Sequence, residues 1–316
     1  MTARTSNDRV AVLGAGFLGC HLAAAVAATG RPIRLLSRSG PASAIPLGAA
    51  EVIAGDIERP DDLARALEGA AHVVYAAGGL LPAESQQDPA RDAALTLRPL
   101  LATLEAMRAR PDAVLTVLSS GGTVYGRPRY LPVDEEHPTE PISSYGVLKL
   151  ASERYVRIYD ETYGVRTRLL RCSNVYGEHQ APDRPQGAVG AFLNRVARGE
   201  PIELYGDGRV IRDFIYIGDL ARAVTGLFDK PDAPPVCNVG SGVGTSVAEL
   251  VELVGAVTGL PVVTESRPAR PLDVEKIVLD VSRLRAAVGF EPRPLADGVA
   301  AVWAATRAEA TAARPR

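Results

Sequence analysis

Only three cysteines, two methionines and one tryptophan are spread over the 316 residues, and aromatic side chains make up 5% of the chain. Cys20, Cys172 and Cys237 are far apart, odd in number and without a Cys-x-x-Cys spacing. That excludes a disulfide scaffold and leaves small buried hydrophobes in a reducing compartment as the expectation. The four histidines, His21, His72, His137 and His179, are scattered without metal-ligand spacing, so no metal is expected. No stretch approaches the ~20 apolar residues that span a bilayer. A formal charge of −2 lacks the basic excess of a nucleic-acid surface. The first eight residues, Met1 to Asp8, hold no apolar signal core, which argues against secretion. What remains is an ordinary globular composition, 47% hydrophobic and 23% charged, in a chain long enough for about two domains.

In place of these features the chain has alternation. Apolar, β-rich runs predict strands at Val10–Leu13, Ile33–Leu36, Glu51–Ile53, Val73–Ala76, Val114–Leu118 and Thr167–Leu170. Helices are predicted between them at Leu22–Ala28, Pro60–Leu67, Leu95–Arg108 and Tyr145–Tyr159. Strands alternating with helices imply βαβ crossovers, hence an α/β fold with a doubly wound, mostly parallel sheet covered on both faces. Ligands on such sheets gather at the carboxyl ends of the strands. After Asn174 the alternation breaks and Pro, Gly and charged turns become more frequent, which predicts a first domain over 1–174 and a smaller lobe over 175–316. Asp213–Ile217 and Val236–Val239 are expected to return to the first sheet, so the boundary is not one clean cut. The Ala/Arg-rich end, Ala308 to Arg316, is expected to fray.

The run Val10-Ala-Val-Leu-Gly14-Ala-Gly16-Phe-Leu-Gly19 sets three glycines between the first strand and the first helix. Gly14 permits the tight turn, Gly16 lets the backbone approach a pyrophosphate where a Cβ would collide, and Gly19 lets the helix pack closely on the sheet. The helix N-terminus, around Phe17 and Leu18, offers unpaired N–H groups and a positive dipole end to phosphates. Such a turn also serves as a tight connection without a ligand; its place between a strand and a helix favours the dinucleotide.

At the end of the second strand the chain reads Leu36-Ser37-Arg38-Ser39. A small residue followed by arginine accepts a 2′-phosphate, whereas a carboxylate would bond the ribose hydroxyls, so this pair leans to NADP over NAD. Arg38 also reads as a solvated loop residue, or as one stacked on adenine in an NAD enzyme. Asp56 and Ile57 follow the third strand, where a carboxylate can accept the adenine amino group; Asp56 reads equally well as the cap of the helix opening near Pro60. After the fourth strand, Ala76-Ala77-Gly78-Gly79 lets the backbone approach the cofactor, with no cationic side chain following.

The pair Tyr145 and Lys149 sets a phenol and an ammonium four residues apart, on one face of a helix. The nearby positive charge favours phenolate, so the pair can move a proton on and off a sugar hydroxyl. Such pairs are common on helix surfaces, and context decides. Before this one stands Leu118-Ser119-Ser120-Gly121-Gly122-Thr123-Val124-Tyr125-Gly126. After it come Leu170-Arg171-Cys172-Ser173-Asn174-Val175-Tyr176-Gly177 and Gly206-Asp-Gly208-Arg-Val-Ile-Arg212-Asp213, running on to Asp219. Asn238-Val-Gly240-Ser-Gly242 and Arg270-Pro-Leu-Asp273 complete the series. With these motifs in this order over nearly its whole length, the chain resembles the extended short-chain dehydrogenase/reductases of the nucleotide-sugar epimerase/dehydratase family, and is similar to the UDP-glucose 4-epimerases among them.

The resemblance implies a Rossmann-type sheet with a smaller C-terminal substrate lobe, a nicotinamide cofactor and a nucleotide-diphosphate sugar as substrate. It makes Tyr145 the acid/base, sets Lys149 on the nicotinamide ribose and places Ser119 at the cofactor. Asn174, Arg212 and Arg270 would bind the diphosphate and adjoining sugar, which suits guanidinium groups because they give charge-assisted bonds to phosphate. Taken alone, each arginine reads as a surface salt bridge. Gln186-Gly-Ala-Val189 precedes a helix and is expected to line the base pocket.

The chain also departs from the pattern. The family's Ser or Thr hydroxyl four residues before the tyrosine of Val-Tyr-Gly is Gly121 here, so Ser120 or Thr123 is expected to take its place, and Gly121→Ser is expected to leave activity level or better. Thr96 stands for a structural asparagine, and Leu13 for the first glycine of the loop. Three readings follow. In a C4 epimerase of a UDP- or dTDP-hexose, Tyr145 removes the O4 proton while hydride leaves C4 for the nicotinamide and later returns to the other face. An NADPH-dependent reductase of an NDP-4-keto-6-deoxyhexose uses the same groups once, and Ser37-Arg38 pulls toward it. A non-catalytic dinucleotide or nucleotide-sugar sensor is the third, and the intact Tyr/Lys pair argues against it. The epimerase leads, with no nucleic-acid or membrane partner, a homodimer and a cytoplasmic location expected.

Overall fold

The computed structural model describes residues 8–40, 45–180, 187–270 and 273–312. Gln186, Pro271, Leu272 and the last four residues of the tail expected to fray lie outside them. The first half runs β1 (Arg9–Leu13), α1 (Phe17–Ala28), β2 (Ile33–Ser37), β3 (Glu51–Ala54), α2 (Pro60–Leu67), β4 (Ala70–Tyr75), α3 (Pro82–Gln87), α4 (Pro89–Met107), β5 (Val114–Ser120), α5 (Ser144–Tyr163) and β6 (Thr167–Cys172). Each strand and helix expected there is present, and α3 is additional. Pro82 opens α3, where its missing N–H costs nothing, and the Glu84 carboxylate accepts the N–H of Leu81 at 3.0 Å.

The second half runs β7 (Asn174–Tyr176), α6 (Ala188–Arg198), β8 (Ile202–Tyr205), β9 (Ile211–Tyr216), α7 (Ile217–Phe228), β10 (Val236–Val239), β11 (Gly244–Ser246), α8 (Val247–Thr258), β12 (Thr264–Arg267), α9 (Ser282–Val288) and α10 (Leu295–Ala312).

Seven strands form one sheet in the order β10-β6-β5-β4-β1-β2-β3, all pairs parallel. From β1 the chain builds outward through β2 and β3, then crosses to β4 and builds the other way. The reversal between β1 and β4 opens a crevice at the carboxyl ends of these strands, where ligands of such sheets lie. Val10, Val12 and Leu35 face a core under α1 and α7, while Ala11, Leu13 and Leu36 face one under α2, α4 and α5. Burial on both faces explains why the strands are continuous apolar runs, and each fully buried Leu or Val contributes about 1.5–3 kcal/mol.

One expected return to this sheet occurs and the other does not. Val236–Val239 is β10, paired with β6 at the sheet's edge. Asp213–Ile217 falls largely in β9, which pairs with β7 and β11 in a separate three-stranded sheet. Phe214 of β9 packs into a core with α6, α8 and α10 and Ile215 into the core under α1. A strand buried on both faces reads the same from its sequence whichever sheet it joins. The helices α6, α8 and α10 gather around a core of their own. Among the described residues no helix is long and apolar enough to cross a membrane.

Candidate active site

The crevice is built first from missing side chains. Gly14 turns at φ +101°, and a Cβ there would lie 2.8 Å from the backbone nitrogen and Cα of Ala77. At Gly19 a Cβ would run into the carbonyl of Gly14, so this glycine lets α1 close on the loop. At Gly16 and Gly78, by contrast, a Cβ would meet nothing within 4 Å. The Ala76 N–H bonds to the Leu13 carbonyl at 2.9 Å, which brings Ala76, Ala77 and Gly78 alongside the glycine loop. α1 opens at Phe17 with Gly16 as its N-cap and no side-chain cap, so the N–H groups of its first turn, Leu18 included, lack helical partners. Open space, close backbone and free donors fit a dinucleotide pyrophosphate.

At the far side of the crevice, Ser37 is buried and its hydroxyl donates to the Gly40 carbonyl at 2.5 Å, while Arg38 is exposed. The hydroxyl is thus engaged in holding the loop, and Arg38 is the group available to an approaching phosphate. Asp56 does not cap α2: the N-cap is Arg59, and the Asp56 carboxylate accepts the N–H of Glu58 at 3.0 Å in a local turn. Ile57 is buried in the core beneath.

α5 carries Tyr145 and Lys149. The Ser143 hydroxyl caps this helix by accepting the Gly146 N–H at 3.2 Å. At Gly146 a Cβ would lie 2.9 Å from Cβ of Pro141 and 3.0 Å from the Thr123 carbonyl oxygen, so the glycine allows the first turn to close on the loop after β5. Tyr145 and Lys149 stand half-buried on the first two turns, with the ammonium 5.5 Å from the centre of the Tyr145 ring. Lys149 also borders a small void shared with Tyr75, Thr96, Ser119 and Glu153.

The hydroxyls of the loop differ in their freedom. Ser119 donates to Glu153 at 2.6 Å, so its side chain is already taken. Thr123 donates weakly to the Ser120 carbonyl at 3.4 Å, and the Ser120 hydroxyl bonds to no other described residue. At Gly121 the expectation needs correction. A Cβ would lie 2.6 Å from Cδ1 of Leu279 and 2.9 Å from the Arg171 carbonyl oxygen, so Gly121→Ser has no room and is not a restoration.

Asn174 begins β7 and donates to the Asp213 carbonyl at 3.1 Å, near Gly122. The largely buried Arg212 donates to the carbonyls of Ile211 at 3.0 Å and Val274 at 2.6 Å, with Asp273 at 3.9 Å. Burial holds its guanidinium below the usual arginine range. Arg270 is exposed and lies 3.7 Å over the Tyr205 ring, and its carbonyl accepts the Asp273 N–H at 3.2 Å. Val189 is corrected: it is fully buried in the core formed with α8 and α10 and offers no side-chain surface to a ligand.

Two groups were not anticipated. Asp92 is buried on α4, accepting the Leu80 N–H at 2.7 Å and the Thr96 hydroxyl at 3.0 Å, and a Cβ at Gly79 would strike both side chains. This carboxylate fixes the loop after β4. Gln86 and Ser85 of α3 bond to Ser144, the residue before Tyr145, at 3.2 and 3.1 Å. The available signal was an acid four residues before Thr96 in an alanine-rich helix.

A glycine loop at a sheet's switch point, with a tyrosine and lysine on the helix that follows the fifth strand, defines an α/β dinucleotide enzyme of the short-chain dehydrogenase type. The profile of the NAD dependent epimerase/dehydratase family matches residues 10–240, and the chain belongs to that family. It is 33% identical over 319 residues to the UDP-glucose 4-epimerase of Azospirillum brasilense, covering 93% of this chain and 90% of that one. Its structure resembles UDP-glucose 4-epimerase from Thermotoga maritima, solved with UDP-glucose, at a TM-score of 0.90 and 30% identity over 96% of this chain and 99% of the other. The Thermus thermophilus UDP-glucose 4-epimerase, in complex with NAD, gives 0.87 and 30% over 95% and 99%.

Proposed function

We propose that this enzyme is a 4-epimerase of a UDP- or dTDP-hexose. The observation that carries the reading is the pairing of Tyr145 and Lys149 on the first two turns of α5, whose Gly146 closes on the Thr123 carbonyl. Gly14, Gly16, Phe17, Leu18 and Gly19 would hold the pyrophosphate, Asp56 and Ile57 the adenine end, and Ala76 to Gly78 and the backbone at Ser119 the opposite wall. A nicotinamide cofactor bound there supplies the means of oxidising C4 and reducing it again. Tyr145 takes the O4 proton and later returns it. Lys149 places a cation beside the phenol and reaches the ribose. Ser120 orients O4, with Thr123 as a second hydroxyl, because a hydroxyl can accept and donate at once. Asn174, Arg212 and Arg270 hold the diphosphate.

The Ser37-Arg38 pair supports a second reading, an NADPH-dependent 4-ketoreductase, since no carboxylate ends β2. An epimerase regenerates its cofactor in every cycle and retains NAD; a reductase must exchange it. Denaturing the purified protein and identifying the released nucleotide separates them. Stoichiometric NAD together with interconversion of UDP-glucose and UDP-galactose is the expected result. An empty protein that reduces a 4-keto-6-deoxy dTDP-sugar with NADPH would overturn it.

The outer face of α5 exposes Val147, Tyr155 and Ile158, an apolar stripe that accords with a homodimer. Light scattering in solution measures that state. The free, buried cysteines accord with a cytoplasmic location.

A further inference from the structure

The stripe of Tyr145 and Lys149 on α5 continues one turn further to Glu153, to which no role has yet been given. Its side chain is 4% exposed and is held from two strands. The Ser119 hydroxyl, at the end of β5, donates to Oε1 at 2.6 Å. The Arg171 guanidinium, on β6, donates to both carboxylate oxygens, at 2.7 and 3.1 Å. Arg171 also donates to the Tyr125 hydroxyl at 3.1 Å and the Glu135 carbonyl at 3.2 Å, and Tyr125 donates to Asn238 of β10 at 2.6 Å. The carbonyl of Arg171 is the one that abuts Gly121. One carboxylate therefore ties α5 to both strands that support the loop 119–123, and it borders the same void as Lys149.

A buried ion pair is a weak source of stability, because desolvation can match the attraction and apolar residues of equal volume often serve a fold as well. A hydroxyl added to the pair from the wall of the site points to placement instead. We propose that Glu153 is a positioning residue: its bond to Ser119 sets α5 against β5, and with it the separation of Tyr145 and Lys149 from the Ser120–Thr123 turn. This rests on the catalytic reading of Tyr145 and Lys149.

Two substitutions separate reach from charge. Glu153→Asp keeps the charge opposite Arg171 but is a methylene too short to hold both partners. Glu153→Gln keeps the reach to Ser119 and leaves Arg171 without a counter-charge. Positioning makes the ranks cross: the Asp variant melts higher yet loses about tenfold or more in kcat at nearly constant KM, because small misplacements are costly in rate. The Gln variant melts lower yet keeps more of its kcat. If activity follows stability in the same order, the role is structural and the proposal fails.

Ser119→Ala leaves the ion pair whole and repeats the test should either Glu153 variant fail to fold. A loss of about tenfold in kcat with little change in melting is expected. Back-titration of the nucleotide that stays bound through dilution in the absence of sugar should show weaker binding in Glu153→Asp and Ser119→Ala, through the displaced Lys149. Wild-type affinity in both overturns the proposal. Since the titration needs no sugar, an unmodified protein that binds cofactor but epimerises nothing sinks only the epimerase reading.

Discussion

Gly121 sits so close beneath the Arg171 carbonyl that a Cβ would stand 2.9 Å from the oxygen. Arg171 lies in β6, paired with β5 at Ser119, so its carbonyl is held by the sheet. Gly121→Ser should therefore lower stability by about 1–3 kcal/mol, as overpacking does, and lower turnover with it. Urea unfolding and a rate measurement check this together. A variant of wild-type stability and undiminished turnover would show that the loop has room after all.

Tyr145→Phe keeps the ring beside Lys149 and deletes only the hydroxyl. Turnover should fall by roughly 10²–10⁴-fold with cofactor affinity unchanged. Lys149→Ala should lose both, if the same ammonium serves the phenol and the ribose as proposed. Near-normal rates in Tyr145→Phe would remove the residue from the mechanism, and retained nucleotide-sugar binding without any turnover in the unmodified protein would favour a sensor.

Arg212 and Arg270 should respond differently although both are assigned to the diphosphate. Arg270 is exposed and rests on Tyr205, so Arg270→Ala should raise KM by the equivalent of about 1.5–3 kcal/mol, a charged hydrogen bond, at constant stability. Arg212→Ala should raise KM and also destabilise the protein, because the Val274 carbonyl loses its donor and the Ile211 carbonyl keeps only the Ile277 N–H. Equal melting temperatures for the two variants would contradict the burial difference.

His72 gives the protein an acid-sensitive point away from the site. Its ring stacks on Phe228 at 4.6 Å, and burial, with the nearby Arg31 and Arg168, pulls its pKa from 6.5 down to about 4. Between those values the unfolded chain binds a proton that the folded protein refuses, so stability is full above pH 6.5 and falls as pH drops toward 4. His72→Phe keeps the stack and removes the proton site. Denaturant unfolding at several pH values should show a flatter profile for the variant; parallel profiles would rule His72 out.

The sheet and the glycine loop were legible because their determinants are local. Gly14, Gly16 and Gly19 stand within a few residues of one another at a strand-to-helix turn, and the strands of the first half other than the exposed edge strand β3 are largely buried. The placement of β9 was not legible, since Phe214 and Ile215 read as a buried strand whatever they pair with. Crowding at Gly121 comes from Leu279, far along the chain, and no local pattern carries it. Val189 shows the same limit: its position before a helix suggested a pocket, and only the packing of α6 against α8 puts it inside. Ser37 was read by its size, but the Gly40 carbonyl decides what its hydroxyl does.

The place of β10 at the edge of the large sheet bears on how the protein is made. β6 leaves the ribosome well before β10, with β7, α6, β8, β9 and α7 in between. Throughout that interval β6 presents unpaired backbone groups flanked by apolar side chains, the kind of edge on which nascent chains join one another. A shortened chain ending after β6 would keep that edge permanently and is expected to self-associate.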